Sequence, residues 1–512
     1  MMNRSKNSFL GSGLTSFVMG YKGAVSLIVA ASAIIAVVFL YRYVQYPSVA
    51  DSWVYRFLAF RFRMNGLMYD FGTIRTYGYP LFLYFMSLIS GWSFERLAIV
   101  AGVVQWILYA GAALWLGAAL RRIRETVALG VVSGLLLLPL GLALVTDALT
   151  EGLSLPITVA LTALAVHVSE RYRPVWSEVA IFGGAVLAAF ALMVRPGNLP
   201  ITVGWTVAIG LALAASPAWS GVRWRLTACA ILSFVGAGLL VWAPQAVYAA
   251  RSVGEWAILP ACRLGSFQGA YGVLVWKYDT IVNAAGGTSP WNSAAPWNTI
   301  NPLFVPPLPS GNWVDWYIAQ PFQGAITMIA HVFMAFNAKT PFTYIYDLNP
   351  PYAWLNRAIF FSVLVFGSWR MFSFVFGGWL FCWKDRVVPL VFLSISFVGS
   401  FVVIAVSAVE TRFAAVPMAI LACFAAEHAW ALMKGKESLP PLRAFLSLSA
   451  IALLLAVSAW TDQFEGQSIA VQIGIQEYGK NVPCYLTFDT ANGEFEKVFS
   501  DHESDVSRRN GM

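Results

Sequence analysis

The amino-acid sequence predicts an all-α polytopic membrane protein of about eleven transmembrane helices. Composition, recurring apolar runs and the placement of basic residues between those runs carry that expectation. Hydrophobic residues make up 59% of the chain and charged residues only 11%, against about 25% charged in a soluble globular domain. Mean hydropathy is +0.67. A water-soluble fold of 512 residues would have too few charges to cover its surface.

Apolar runs recur near 24–43, 97–119, 127–145, 149–168, 178–194, 198–215, 226–247, 356–382, 387–408, 413–432 and 443–460. Each approaches or exceeds the length that crosses a hydrocarbon layer of about 30 Å. Arg4, Lys6 and Lys22 precede the first run, which lacks a small-residue cleavage site. Residues 1–23 are therefore read as a cytoplasmic N-terminus and the first run as a retained span.

With the N-terminus inside, the cytoplasmic turns hold Arg121, Arg122 and Arg124; Arg171 and Arg173; Arg223 and Arg225; Lys384 and Arg386; and Lys434, Lys436 and Arg443. Every inside turn is basic, as the positive-inside rule requires. The net charge of +8 is thus distributed as topology signals rather than gathered into a nucleic-acid patch. The same alternation puts 44–96, 248–355 and a C-terminal tail, 461–512, on the other face. The stretch 80–92 is apolar but short, and is expected to lie in the interface. If it crossed, every later basic turn would face outward.

The tail holds nine acids against four bases and is too short to bury much core by itself. A short strand is expected over 482–488. The five cysteines form no CxxC pair and no zinc spacing. Cys262 and Cys484 fall on one side and are candidates for a disulfide in an oxidising compartment.

After the first span, Trp53, Val54, Phe57, Leu58 and Phe62 recur at helical spacing and Asn65-Gly66 supplies a stop. Such a helix lies on the membrane with Asp51 at its start. Two readings stay open for Asp51: a helix cap, or a carboxylate held at the membrane face to deprotonate a hydroxyl group.

The order of features is specific: a span, an outer loop with Asp51-x-x-x-Tyr55, an amphipathic helix ending at Gly66, then Arg75-Thr76-Tyr77-Gly78-Tyr79-Pro80. It resembles the opening of bacterial GT-C glycosyltransferases, the polytopic enzymes that use polyprenyl-phosphate sugars and are related to protein mannosyltransferases and lipid A aminoarabinose transferases. The likeness extends over about residues 24 to 432. It includes Glu151 at an outer helix start, Val194-Arg195-Pro196, Pro244-Gln245 and Val409-Glu410-Thr411-Arg412-Phe413.

The resemblance implies a membrane domain over 24–460 in the bacterial inner membrane, with outer-face interfacial helices and an active site on the outer face. It implies a polyprenyl-phosphate sugar as donor and a glycan, lipid or protein as acceptor. By matching position, Asp51 is the catalytic acid of the first outer loop. Many members have a pair of acids there, whereas this chain has Asp51-Ser52 and only the distant Asp70, so no paired-acid motif supports a divalent metal.

Arg75, Arg195, Arg412 and His331 are the cations expected to hold the donor phosphate. His331 is carried by a helical stretch, 323–337, ahead of Lys339. Asp147, Glu151 and Glu410 are supporting acids at the same membrane edge. Asp147 and Glu151 stand four apart, and a continuous helix would put both on one face. Arg195, Arg412 or Arg370 is the expected partner, because ionisable groups at membrane depth face polar cavities or one another. Arg370 lies inside the eighth run, so either it pairs with an acid or the span ends earlier. The aromatics of 248–355 suit sugar faces and membrane interfaces alike.

A lipid or solute transporter, and a ligase or polymerase of lipid-linked glycans, are the competing functions. A transporter is expected to show internal repeats and midplane charges; neither is evident here. ATP-driven transport would need a phosphate-binding Gly-x-x-x-x-Gly-Lys-Ser/Thr loop, and none is present.

Overall fold

The computed structural model describes residues 20–45, 51–66, 75–91, 93–170, 174–215, 217–254, 256–259, 264–282, 294–304, 313–345, 350–375 and 387–466. Among the described residues, ten helices are long and apolar enough to cross a membrane, and a bent pair makes an eleventh candidate. The chain is an integral membrane protein built almost wholly of helices. Cys262, Cys484 and the strand expected over 482–488 lie outside the described residues.

In chain order the helices are α1 (Tyr21–Gln45), α2 (Asp51–Asn65), α3 (Gly78–Ser90), α4 (Phe94–Arg121), α5 (Glu125–Leu136), α6 (Pro139–Thr146), α7 (Thr150–Glu170), α8 (Pro174–Val194) and α9 (Leu199–Ala215). After α10 (Arg223–Ala237), a π-helical turn at Gly238–Trp242 leads into α11 (Ala243–Val253). There follow α12 (Leu264–Leu274), α13 (Trp313–Ala319), α14 (Pro321–Phe336), α15 (Ala353–Phe374), α16 (Val387–Ala405), α17 (Ala415–Met433) and α18 (Pro441–Thr461). Every apolar run named above coincides with one of the candidate spans, the eighth ending at Phe374 among the described residues.

The bent span is α5 with α6, turned by 53°. Its cause is Pro139, which lacks the N–H that would bond the Leu135 carbonyl and forces Leu138 into extended backbone. In hydrocarbon the freed carbonyl needs another donor. Tyr109 Oη supplies it, 3.1 Å from Leu135 O. A second break separates α6 from α7, and there Gln105 Nε2 donates to Val145 O at 3.1 Å and Asp147 O at 2.7 Å. The expected continuous helix through Asp147 and Glu151 is therefore corrected: Asp147 is extended at the end of α6, and Glu151 opens α7.

The two largest buried clusters among the described residues form most of the core. One gathers Tyr109, Leu135, Phe336, Phe360, Met418 and Leu421; the other gathers Tyr79, Leu83, Ile181, Trp205 and Phe392. Helices approach at small residues, as membrane helices do. A Cβ on Gly130 would stand 2.5 Å from Glu427 Cα, and one on Gly134 would stand 2.6 Å from the Ala422 carbonyl carbon. This i, i+4 glycine pair lets α5 lie directly on α17.

At one end of the bundle the basic turns pair with acids. Lys434 bonds Glu125, and Arg225 lies 2.5 Å from Glu178. Arg370 bridges Glu427 at 2.5 Å and Glu437 at 2.8 Å. Of the two possibilities open for Arg370, the acid partner is the one found, although the acids are these and not Asp147 or Glu151.

The opposite end carries α2, α3 and a small sheet. Gly66 ends α2 with φ 97°, a conformation glycine adopts without strain. The long loop folds into β1 (Val275–Val282), β2 (Ala294–Ile300) and β3 (Tyr344–Ile345), and β4 (Glu465–Gly466) joins from the tail. The strand order is β3-β1-β2-β4, with β1 and β2 antiparallel and β3 parallel to β1. Trp276 and Trp316 are buried here, and so serve neither a sugar face nor a membrane interface.

Candidate active site

The cavity forms where helix ends meet this sheet. Its wall includes the start of α2, the segment before α3, the stop of α8, the starts of α7, α9 and α17, the end of α16, and the strands β1 and β3. It encloses about 740 Å³. Asp51, Arg75, Glu151, Arg195 and Arg412 line one part, with Tyr55, Tyr278, Thr280 and Tyr344; Leu155, Ile201, Val403, Ile404 and Val416 line an apolar flank made by the spans.

Each charged group arrives for a local reason. Asp51 is the first residue of α2, and the amide N–H of Ser52 donates to Tyr344 Oη at 3.4 Å, tying that helix end to β3. Arg75 stands in the segment that leads to α3. That segment is fixed by Tyr77, whose N–H donates to Gln245 Oε1 at 3.3 Å and whose hydroxyl donates to Val241 O at 2.6 Å. Arg195 sits at the stop of α8, where Pro196 ends the helix. Arg412 belongs to a 3-10 turn, Thr411–Ala414, that opens the span containing α17.

Gly78 sets the distance between two of these elements. A Cβ there would lie 2.6 Å from the carbonyl carbon and oxygen of Met193, two residues before Arg195. Gly78→Ala must therefore push α3 from α8. We expect a loss of about 1–3 kcal/mol of stability, read as a lower thermal midpoint in detergent. An unchanged midpoint would mean that this contact yields freely.

The charges interlock. Arg75 bonds one carboxylate oxygen of Asp51, and Arg412 bonds the other at 2.7 Å. Arg412 Nε also lies 2.6 Å from Glu410 and 3.4 Å from Glu151, while Arg195 lies 2.5 Å from Glu151. The Arg195 and Arg412 guanidiniums both lie over the Phe413 ring, at 4.8 Å and 5.9 Å.

Burial opposes ionisation of Asp51, but Arg75 and Arg412 outweigh it and bring the carboxyl down to about 2. Glu410 goes the other way. Its burial, only partly offset by Arg412 and reinforced by Asp51 and Glu151, lifts it to about 7. Burial, then the nearby Asp51 carboxylate, raises Tyr344 well above an ordinary phenol, so its hydroxyl stays neutral.

Asp51, Arg75, Glu151, Arg195 and Arg412 all line the cavity, and Glu410, outside the lining, lies 2.6 Å from Arg412. Asp147 is buried but is not part of the lining.

The expectation for His331 is corrected. It is fully buried in α14, with Nδ1 2.8 Å from Ala405 O and Nε2 3.1 Å from Val275 O. Burial lowers its pKa, and as a neutral ring it donates its single N–H to one of these two carbonyls. It ties α14 to α16 and β1, and is not available to a phosphate. Lys339 is likewise taken up, 2.5 Å from Glu465 of the tail.

The sequence reading missed Tyr278, Thr280 and Tyr344. The alternation of Val275, Lys277, Asp279 and Ile281 with Trp276, Tyr278 and Thr280 was a strand signal that could have found the first two.

Among the described residues, no group of three or more His, Cys, Asp or Glu is arranged to hold a metal ion. The carboxylates converge on a guanidinium instead.

No family model and no curated protein matches the chain. Among solved structures it is similar to the archaeal oligosaccharyltransferase AglB from Archaeoglobus fulgidus, in complex with an inhibitory peptide and a dolichol-phosphate. Sequence identity is 12% and the TM-score 0.40, and the match covers 92% of this chain and 59% of that one. The chain thus spans about three fifths of the length of that structure.

Proposed function

We propose that this chain is a GT-C-type membrane glycosyltransferase that moves a sugar from a polyprenyl-phosphate donor to a glycan, lipid or protein acceptor. The reaction would take place on the non-cytoplasmic face of a bacterial inner membrane. The observation that carries this reading is one cavity with two chemistries: three guanidiniums beside two carboxylates, and an apolar flank formed by spans. A lipid-linked phosphate needs both, because its tail must stay in hydrocarbon while its head meets fixed cations. The basic turns lie at the other end of the bundle, and the positive-inside rule supports a cytoplasmic location for that end.

In this reading the acceptor hydroxyl gives its proton to Asp51 as its oxygen attacks the anomeric carbon. The bond from that carbon to the phosphate oxygen breaks, and the polyprenyl phosphate leaves with the electron pair. Arg75, Arg195 and Arg412 hold the charge that builds on it. Direct displacement with one base inverts the anomeric centre.

Clamped by two guanidiniums, Asp51 is a weak base in the empty site. A phosphate that competes for Arg75 and Arg412 loosens that clamp and raises its basicity toward the useful range. The donor would then switch on the base that consumes it.

Membranes carrying the chain and membranes lacking it, given radiolabelled polyprenyl-phosphate sugars, test the reading. Chain-dependent appearance of label in a new glycosidic bond is the expected result. Label that crosses the membrane with its donor intact would instead identify a transporter.

A further inference from the structure

The side chains that line the cavity are close to charge balance. Two carboxylates, Asp51 and Glu151, and three guanidiniums, Arg75, Arg195 and Arg412, line it. That leaves one positive charge in excess. Glu410 is not part of the lining; its side chain is 1% exposed and lies 2.6 Å from Arg412 Nε. When Glu410 is ionised the excess disappears, and Arg412 is shared among three acids. When Glu410 is protonated, the excess charge matches the single negative charge of a phosphodiester.

We propose that Glu410 is a positioning residue that takes up a proton as the donor phosphodiester binds, which releases the Arg412 guanidinium from it to the phosphate. The inference rests on the donor reading above and deepens it, by assigning a proton to the binding step.

The surroundings of Glu410 fit that role. Thr280 Oγ1 of β1 donates to its Oε1 at 3.3 Å, a bond compatible with either protonation state. The carboxylates that face it are Asp51 from α2, Glu151 from α7 and Asp279 from β1, the last 3.1 Å from Lys277. Their repulsion favours the protonated form. Tyr271 of α12, Tyr278 of β1 and Tyr344 of β3 are held neutral by burial. His331 of α14 is turned to backbone carbonyls, and α16 has no ionisable side chain. Arg412 is the only cation whose attraction opposes protonation among those that act most strongly on Glu410. With Glu410 lifted to about 7, the proton is exchangeable near neutral pH.

The balance is simple. One proton passes from water to the Glu410 carboxylate, one phosphodiester anion enters, and the charge of the site is unchanged. No bond other than O–H forms or breaks.

The test uses the full chain in phosphatidylcholine nanodiscs and a farnesyl methyl phosphodiester, whose head carries one charge throughout the range studied. A phosphomonoester would titrate near pH 6 and obscure the result. In the wild type, affinity is expected to fall at least tenfold between pH 6 and pH 9, because each unit above the free pKa costs up to about tenfold until the pKa of the complex is reached. Glu410→Gln, which mimics the protonated acid, should bind with an affinity that changes less than about twofold over the same range. Calorimetry of the wild type at pH 8, in buffers of different ionisation enthalpy, should report uptake of about one proton.

A Glu410→Gln protein with the wild-type pH slope, or a wild type that takes up no proton, would overturn the inference while leaving the donor site intact. If the wild type bound no diester at any pH, the donor reading itself would fail, and the inference with it.

Discussion

Asp51→Asn is expected to lower the rate of sugar transfer by about 10²- to 10⁴-fold, the range supplied by a positioned proton acceptor, without loss of the folded protein. The substitution keeps the shape and removes one negative charge from a site that Arg75 and Arg412 already neutralise. Arg412 retains Glu410 at 2.6 Å and Glu151 at 3.4 Å, and Arg75 is 20% exposed, so neither is left as an isolated charge in a dry interior.

The effect should divide unevenly between the kinetic constants. Removing an anion beside the phosphate site leaves donor binding unchanged or tighter, so KM should not rise and the loss should fall on kcat. A purely structural Asp51, a helix cap and nothing more, would show only a modest change in rate and no selective loss of kcat. Ionisation gives a second check. With its carboxyl at about 2, Asp51 contributes stability above the ordinary aspartate range that is lost only as pH falls through about 2. In the protein without donor it should therefore impose no fall in kcat/KM between pH 5 and 7, while kcat reports the higher value of the donor complex. Wild-type transfer by a correctly inserted Asp51→Asn protein would remove Asp51 from the mechanism.

The parts of this molecule that were legible from the sequence are those governed by short-range rules. Apolar length locates the spans, since no other element satisfies its own backbone in hydrocarbon. The α2 helix was readable from its 3.6-residue pattern and its Asn65-Gly66 stop. The charged residues at one membrane edge were readable as a set, because an ionised group at that depth has few other uses.

What was not legible depends on tertiary placement. A four-residue spacing suggested that Asp147 and Glu151 share a helix face, but Gln105 from α4 satisfies the carbonyls of a break between them. Nothing near Asp147 in sequence announces that partner. A lone histidine beside a cation, His331, looked like a phosphate ligand, and long-range packing set it between Ala405 O and Val275 O instead. Tyr344 reaches Ser52 across 292 positions, a contact that no local pattern encodes. The docking of Asp462 on Arg357, at 2.6 and 2.9 Å, likewise joins the tail to α15 over a distance no periodicity covers.

Arg412 is the residue on which the site's electrostatics converge, so its removal should have the largest effect on stability. Arg412→Met leaves Glu410, 1% exposed, without its guanidinium, whereas Glu151 keeps Arg195 at 2.5 Å. Breaking a buried ion pair in this way costs about 3–5 kcal/mol, because the remaining charge is left unpaired. The deficit should depend on pH with a definite sign. Without Arg412, Glu410 is raised further above its unfolded value, so the stability it contributes is present at low pH and lost as pH rises through its folded pKa. The variant should be least stable near pH 8 and recover toward pH 5; the wild type, with only Glu410 raised to about 7, should vary less.

Arg412→Lys separates charge from geometry. A single ammonium cannot reach Asp51, Glu410 and Glu151 together, as the planar fork does at 2.7, 2.6 and 3.4 Å. This protein should fold with a smaller loss of midpoint, yet transfer sugar at least about 10²-fold more slowly, since the phosphate loses one fixed donor at the moment charge builds on it. Thermal unfolding across pH and the transfer rate, measured on the same preparations, give both readings. If Arg412→Met were as stable as the wild type at pH 8, Glu410 would have to be neutral already, and the charge balance of the cavity would need another origin.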